Sequence, residues 1–238
     1  MEEHAVNESA LKDNSYPGRG IVMGVNSAGT HFVQVYWLMG RSDNSRNRIF
    51  VLEDGSVKTK AYDESKVEDP SLIIYDAMIE INDNHIVSNG DQTTTIVDFL
   101  NKNKTFEDAL KTRDYEPDAP HFTPRISGIY YPDQSVKMSI IRKDNDHTDR
   151  DVFNFKADDL LRGTGYCMHT YKGDGDPLPS YDTAPFAVSL FGSVEENANK
   201  FWSLLNPENR ISLVVKSIPF KGSGPEFHII NKNGDMQK

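Results

Sequence analysis

The sequence predicts an α+β chain in which two antiparallel sheets stack and a few helices lie outside them. Three observations carry this. Short segments rich in β-branched and aromatic residues recur with turn-rich connections between them. One of these, His31 to Leu38, is apolar at nearly every position, the pattern of a strand covered on both faces. The helical patterns are few and amphipathic, and they fall between strands.

Residues 1–15 read as a polar, poorly ordered leader. Pro17-Gly18-Arg19-Gly20 turns the chain into Ile21-Val22-Met23-Gly24-Val25, which pairs across the turn Asn26-Ser27-Ala28-Gly29 with His31 to Leu38 as a hairpin. Further strands are expected at Ser71 to Ile81, Ile126 to Tyr131, Ser135 to Arg142, Ala184 to Phe191, Ile211 to Ile218 and Phe227 to Ile230. Asp91 is placed to cap a helix toward Leu100, and Thr105 a short one through Leu110. Ser193 and Glu196 form a capping box for a helix whose Val194, Ala198, Trp202 and Leu205 share one face and which Pro207 ends. Asp144 to Asp151 and Lys172 to Asp182 read as polar loops. With no repeat and no long linker, residues 16–238 make one domain.

Composition narrows the function. The chain has 238 residues, 37% of them hydrophobic, and a formal net charge of −10, which argues against tracking a nucleic-acid backbone. No segment approaches the roughly 20 apolar residues that span a bilayer. The acidic start Met1-Glu2-Glu3-His4 lacks the apolar core of a secretory signal, so a cytoplasmic address is expected. A single Cys167 excludes an intramolecular disulfide and a cysteine-rich zinc site, and the seven histidines show no HxxxH or HxH spacing. No metal is expected.

Four constellations remain, since GxSxG, GxxxxGK[ST], GxGxxG and HExxH are all absent. Three of the ten arginines fall between Arg41 and Arg48, a local surplus of planar donors suited to one phosphate or carboxylate. The alternative is a solvated loop with ion pairs to Asp43 or Glu53. Asn89-Gly90-Asp91 is a turn before a helix whose free N–H groups attract an anion or are capped by Asp91, the cap being the preferred reading. Glu116, in the acidic turn Asp114 to Asp118 before Thr123-Pro124-Arg125-Ile126, is a candidate acid or base if it lies near Arg125 and the arginine loop; otherwise it is an exposed loop carboxylate. Cys167 and His169 share a strand face as an imaginable nucleophile and base, but neighbours on one strand seldom make that hydrogen bond, and a small core cysteine is preferred.

The order of Pro17-Gly18-Arg19-Gly20, Arg41-Ser42 with Asn47-Arg48, Tyr75, Asn89-Gly90-Asp91, Asp114-Tyr115-Glu116 and Thr123-Pro124-Arg125-Ile126 resembles the archaeal-type IMP cyclohydrolases and their bacterial relatives. His169-Thr170-Tyr171 with Gly173-Asp174-Gly175 and Pro177-Leu178-Pro179 looks like the bacterial branch. The resemblance implies a four-layer αββα sandwich like that of the N-terminal-nucleophile hydrolases, without a processed terminal nucleophile. It also implies the last step of purine biosynthesis, in which 5-formamidoimidazole-4-carboxamide ribonucleotide loses water to become IMP, with no cofactor. By the same resemblance Arg41, Tyr75 and Glu116 are catalytic, and Ser42, Asn47, Arg48, Asn89, Asp91, Thr123 and Arg125 bind substrate. Its partners are then the purine ribonucleotides alone, with a homo-oligomer expected and neither nucleic acid nor membrane. The arginine loop is longer than the archaeal pattern and carries an extra Arg46, and the run from Lys143 to Arg150 is added. Two other functions compete: a purine-nucleotide binder without turnover, and an amide hydrolase that cleaves itself to expose Cys167.

Overall fold

Along β1 (Gly20–Val25) and β2 (His31–Met39) the side chains alternate between two buried faces. Ile21, Met23, Val25, Phe32, Tyr36 and Leu38 enter one apolar cluster, and Val22, Val33, Val35, Trp37 and Met39 another. This double burial is why β2 reads as continuously apolar instead of alternating. The computed structural model describes residues 2–67, 70, 73–222 and 224–234.

The hairpin sits inside a six-stranded antiparallel sheet completed by β10 (Thr164–His169), β11 (Phe186–Ser189), β12 (Arg210–Pro219) and β13 (Glu226–Asn231), in the order β11-β10-β1-β2-β12-β13. The second sheet is a seven-stranded meander of β3 (Arg48–Glu53), β4 (Ser56–Ala61), β5 (Asp76–Ile81), β6 (Asn84–Ser88), β7 (Arg125–Tyr130), β8 (Val136–Asp144) and β9 (His147–Phe155). Val87, Ile126, Met138 and Ile140 face the first sheet. Gly128 lets the sheets approach, because a Cβ there would lie 2.2 Å from Met23 Sδ.

Helices cover both outer faces. α1 (Glu2–Asp13) and α5 (Val194–Leu204) pack on the six-stranded sheet, and α3 (Gln92–Asn101) with α4 (Phe106–Leu110) on the seven-stranded one. Thr105 caps α4 and Ser193 with Glu196 forms the capping box of α5, as the sequence indicates, and Asp108 completes a second box at Thr105. On α5 the deepest residue is Phe201, fully buried beside Ala198 and Leu205, while Val194 and Trp202 are only partly covered. Burying a side chain of that size stabilises by roughly 1.5–3 kcal/mol. The result is an α+β sandwich, and no helix among the described residues is long and apolar enough to cross a membrane.

Several expectations are corrected. Residues 2–13 are not a disordered leader but α1, held by buried Leu11, by Asn7 Nδ2 donating to the Ala187 carbonyl at 2.8 Å, and by Glu8 Oε1 accepting from Ser189 N at 2.7 Å and Lys200 Nζ at 2.6 Å. The run from Asp144 to Asp151 is not a loop but the end of β8, a turn at Asn145 and Asp146, and the start of β9. Arg142, paired with Asp149 and with Asp151 at 2.7 Å, supplies cross-strand ion pairs where an apolar pattern is missing. Tyr75 precedes β5 instead of lying within a strand, and Ser71 and Leu72 of that expected strand lie outside the described residues. Asp91 makes no capping hydrogen bond.

Candidate active site

At one end of the sandwich the chain leaves α1 and turns at Gly18, whose φ of +75° suits glycine. The turn is fixed on both sides. Trp37 Nε1 donates to the Gly18 carbonyl at 3.0 Å, and Arg19 N donates to Thr170 Oγ1 at 3.1 Å. Arg19 thereby enters β1 with its guanidinium among the loops that join the two sheets, and Nη1 reaches Glu116 Oε2 at 3.4 Å. Glu116 is 1% exposed, and its backbone N donates to the Thr123 carbonyl at 2.9 Å, which ties the acidic turn to the start of β7. Burial raises the Glu116 carboxyl above the usual carboxylate range, and Arg19, next in effect, opposes it.

A cleft of about 220 Å³ opens above this pair, lined in part by Tyr16, Arg41, Ser42, Arg48, Thr123 and Tyr171, with Arg19 at its base. Ser42 caps the short α2 (Asp43–Arg46), accepting from Ser45 N at 3.2 Å. Arg48 opens β3 and is 1% exposed; Nε donates to the Ser45 carbonyl at 2.8 Å, but Nη1 has no partner, nor does Arg19 Nε. Two buried guanidiniums thus stand among the carboxylates of Glu116 and Asp118. Burial, followed by Arg19, lowers the Arg48 pKa, and the unpartnered Arg48 Nη1 and Arg19 Nε are donors left free for an anion. Arg41 stands at the mouth over the Tyr16 ring, donating to Asp174 Oδ1 at 2.5 Å and the Gly175 carbonyl at 3.0 Å. It does not pair with Asp43, and Glu53 pairs with Lys60 and Lys58.

Two hydroxyl chains complete the arrangement. Tyr75 OH lies 2.6 Å from Tyr36 OH, both buried between the sheets, and burial pushes the Tyr36 phenol well above its ordinary value. Thr123 Oγ1 lies 2.5 Å from Tyr171 OH and also contacts the Asp118 carboxylate.

The sequence-derived residues therefore divide. Arg41, Ser42, Arg48 and Thr123 line the cleft, Glu116 sits behind it on Arg19, and Tyr75 reaches the cluster through Tyr36. Asn47, Asn89, Asp91 and Arg125 are not among the cleft-lining residues. Asn47 is bonded in both directions to the Asp63 backbone at 2.8 Å. Asn89 locks the turn before α3 onto β7, donating to the Pro124 carbonyl at 2.9 Å and accepting from Ile126 N at 2.9 Å. Asp91 binds Arg113 at 2.5 Å and Arg125 at 2.7 Å, and Arg125 also holds Gln92 Oε1 at 2.8 Å. Glycine at position 90 leaves room for this network, since a Cβ there would lie 2.9 Å from Arg125 Nη1. Arg46 turns to the Gly40 carbonyl at 3.2 Å and has no place in the cleft.

Sequence reasoning assigned no role to Arg19, Tyr16, Tyr36, Asp118 or Tyr171. The available signal was a charged residue enclosed by glycines in Pro17-Gly18-Arg19-Gly20. Cys167 is fully buried on the helix-covered face of β10, and burial pushes its thiol well up, the environment of an inert core thiol.

Two curated relatives, each named IMP cyclohydrolase and coming from strains of Methanococcus maripaludis, are 28% identical over 191 residues, 78% of this chain and 86% of theirs. The family described as IMP cyclohydrolase-like protein matches residues 16–222, a span that holds both sheets through β12 and the whole cleft. The chain belongs to that family.

Proposed function

We propose that the chain closes the purine ring of 5-formamidoimidazole-4-carboxamide ribonucleotide, releasing water and IMP, on a sandwich of the N-terminal-nucleophile hydrolase kind. The observation that carries this reading is a cleft that presents Arg19, Arg41 and Arg48, with the buried Glu116 paired to Arg19 behind it. Family membership supports it.

The reaction is intramolecular. The carboxamide nitrogen attacks the formyl carbon, a C–N bond forms, and the formyl oxygen leaves as water with one proton from each of the two nitrogens. The protein has mainly to hold the two groups in the reactive conformer and to steady the oxygen as it gains charge. Glu116 takes the proton from the attacking nitrogen and returns it to the departing oxygen. Arg41 orients the carboxamide or neutralises the developing oxyanion, and Tyr75 acts on the reacting groups with Tyr36. Arg48, Ser42 and Thr123 hold the ribonucleotide, while Asn47, Asn89, Asp91 and Arg125 fix the turns and strand starts behind it.

Purified protein given the formylated ribonucleotide is expected to form IMP, followed by ultraviolet absorbance. Tight binding of AICAR or IMP with no product refutes the enzyme and leaves a nucleotide-binding protein.

A further inference from the structure

Beside the cleft a space of about 800 Å³, larger than the cleft, lies between α1, the turn at residues 172–174 and the segment leading into β11. Its α1 wall, which includes Asn7, Ala10 and Asp13, lies outside residues 16–222 that match the family. The wall is fixed: Glu8 and Asn7 bind the β11 backbone and Leu11 is buried.

The lining has two zones. Its floor is aromatic, with the His169 ring 4.5 Å from Tyr181 and 5.7 Å from Phe186. His169 is 5% exposed, its Nδ1 makes no hydrogen bond, and burial brings the imidazole down to about 4, so the floor is uncharged at neutral pH. The rim is acidic. Asp174 is paired with Arg41 and Asp182 with Lys172 at 2.6 Å, which leaves the Asp13 carboxylate without an ion-pair partner among the described residues. No arginine is among the lining residues and Lys172 is already paired, which separates this cavity from the arginine-lined cleft. An aromatic floor under a few polar groups, at this volume, is the usual form of a small-molecule site.

We propose that this cavity binds a planar aromatic cation without a phosphate, an amine or amidine whose ring lies on Tyr181 and Phe186 and whose charge meets Asp13 at the rim. The site stands whether or not the neighbouring cleft turns over a ribonucleotide. Asp174 belongs to both, since it also holds Arg41.

The test titrates the full chain with benzamidine by calorimetry, with benzoate as the anionic control, while the His169 ring resonance is followed in ¹³C-histidine-labelled protein. Benzamidine is expected to bind with one-to-one stoichiometry and shift that resonance, and benzoate to do neither. Ala10→Phe, which fills the cavity from an exposed position on α1, should abolish binding. Asp13→Asn should weaken it by about two- to fivefold, the range of an exposed ion pair. No benzamidine binding, equal binding of benzoate, or unchanged affinity in Ala10→Phe overturns the proposal. So does a dimer in solution that Ala10→Phe dissociates, since a second copy would then be the occupant.

Discussion

The Arg19 guanidinium meets the Glu116 carboxylate at 3.4 Å, with the two side chains 11% and 1% exposed. Ninety-seven positions separate the two residues in sequence, and the β1 turn and the loop before β7 bring them together. Such a pair does more for the protonation state of the carboxylate than for the stability of the fold, because desolvation of both ions offsets much of their attraction.

The pH profile of the reaction therefore reports on Arg19. If Glu116 works as a base, the acid limb of kcat/KM falls above the usual carboxylate range, because burial raises its carboxyl. Arg19→Met removes the strongest opposing charge, so the limb should move to still higher pH; Arg19→Lys, which keeps the charge, should bring it back. A limb that stays in place in Arg19→Met would show that the pair does not set the protonation of Glu116.

Glu116→Gln keeps the shape of the side chain and removes its basicity. Turnover should fall by roughly 10²–10⁴, the contribution of a positioned acid or base. Arg41→Ala loses a charged hydrogen-bond donor at the mouth and should cost about ten- to a hundredfold, corresponding to about 1.5–3 kcal/mol. Circular dichroism should show both variants folded. Wild-type rates in both would remove the assignment of this cleft as the active site.

The phenol pair is testable by stability. Tyr36→Phe leaves the Tyr75 hydroxyl without its 2.6 Å partner between the sheets, at a cost of about 1–3 kcal/mol. Tyr36→Phe combined with Tyr75→Phe should cost less than the sum of the single changes, because no buried hydroxyl is then left unpaired. Additive losses in denaturant unfolding would show that the two hydroxyls are not coupled.

The parts of the fold that were legible are those where burial writes a pattern into the sequence. β2 is apolar on both faces because both are covered, and α5 carries its capping box and apolar stripe. The first part of β9, His147 to Asp151, reads as loop because its residues are largely half-exposed and its pairing to β8 is marked by Arg142 with Asp149 and Asp151 instead of by apolar alternation. The β3–β4 hairpin, turning at Asp54-Gly55, also escaped, since its outer face is charged. α1 has a single buried residue, Leu11, and is held by polar bonds to β11 that no local pattern announces. In the cleft, the arginine loop and Glu116 were legible as unusual local chemistry. Arg19 was not, because its role depends on a partner from a distant loop.

A second buried cluster makes a prediction for stability. Lys216, 1% exposed, has its Nζ 2.9 Å from His85 Nδ1 and 3.7 Å from Glu80 Oε2. Burial brings the ammonium down to about 8 from the ordinary lysine value of 10.5, with Glu80 opposing, and brings His85 down to about 3, so His85 is neutral. Between about 8 and 10.5 the unfolded chain binds more protons than the folded one at this position. The burial cost is therefore fully present below that window, and stability rises with pH through it. Denaturant midpoints taken across the window should climb more steeply in the wild type than in Lys216→Met. Parallel curves would mean that Lys216 titrates as an ordinary lysine.

The central claim is that the cleft over Arg19 and Glu116 is where the ribonucleotide reacts, and a crystal structure of the protein soaked with IMP tests it most directly. The account predicts the purine six-membered ring within hydrogen-bond distance of Glu116 and Arg41, with Arg48 on the ribose-phosphate. IMP bound elsewhere with this cleft empty, or turned so that the ring lies away from Glu116, would contradict it.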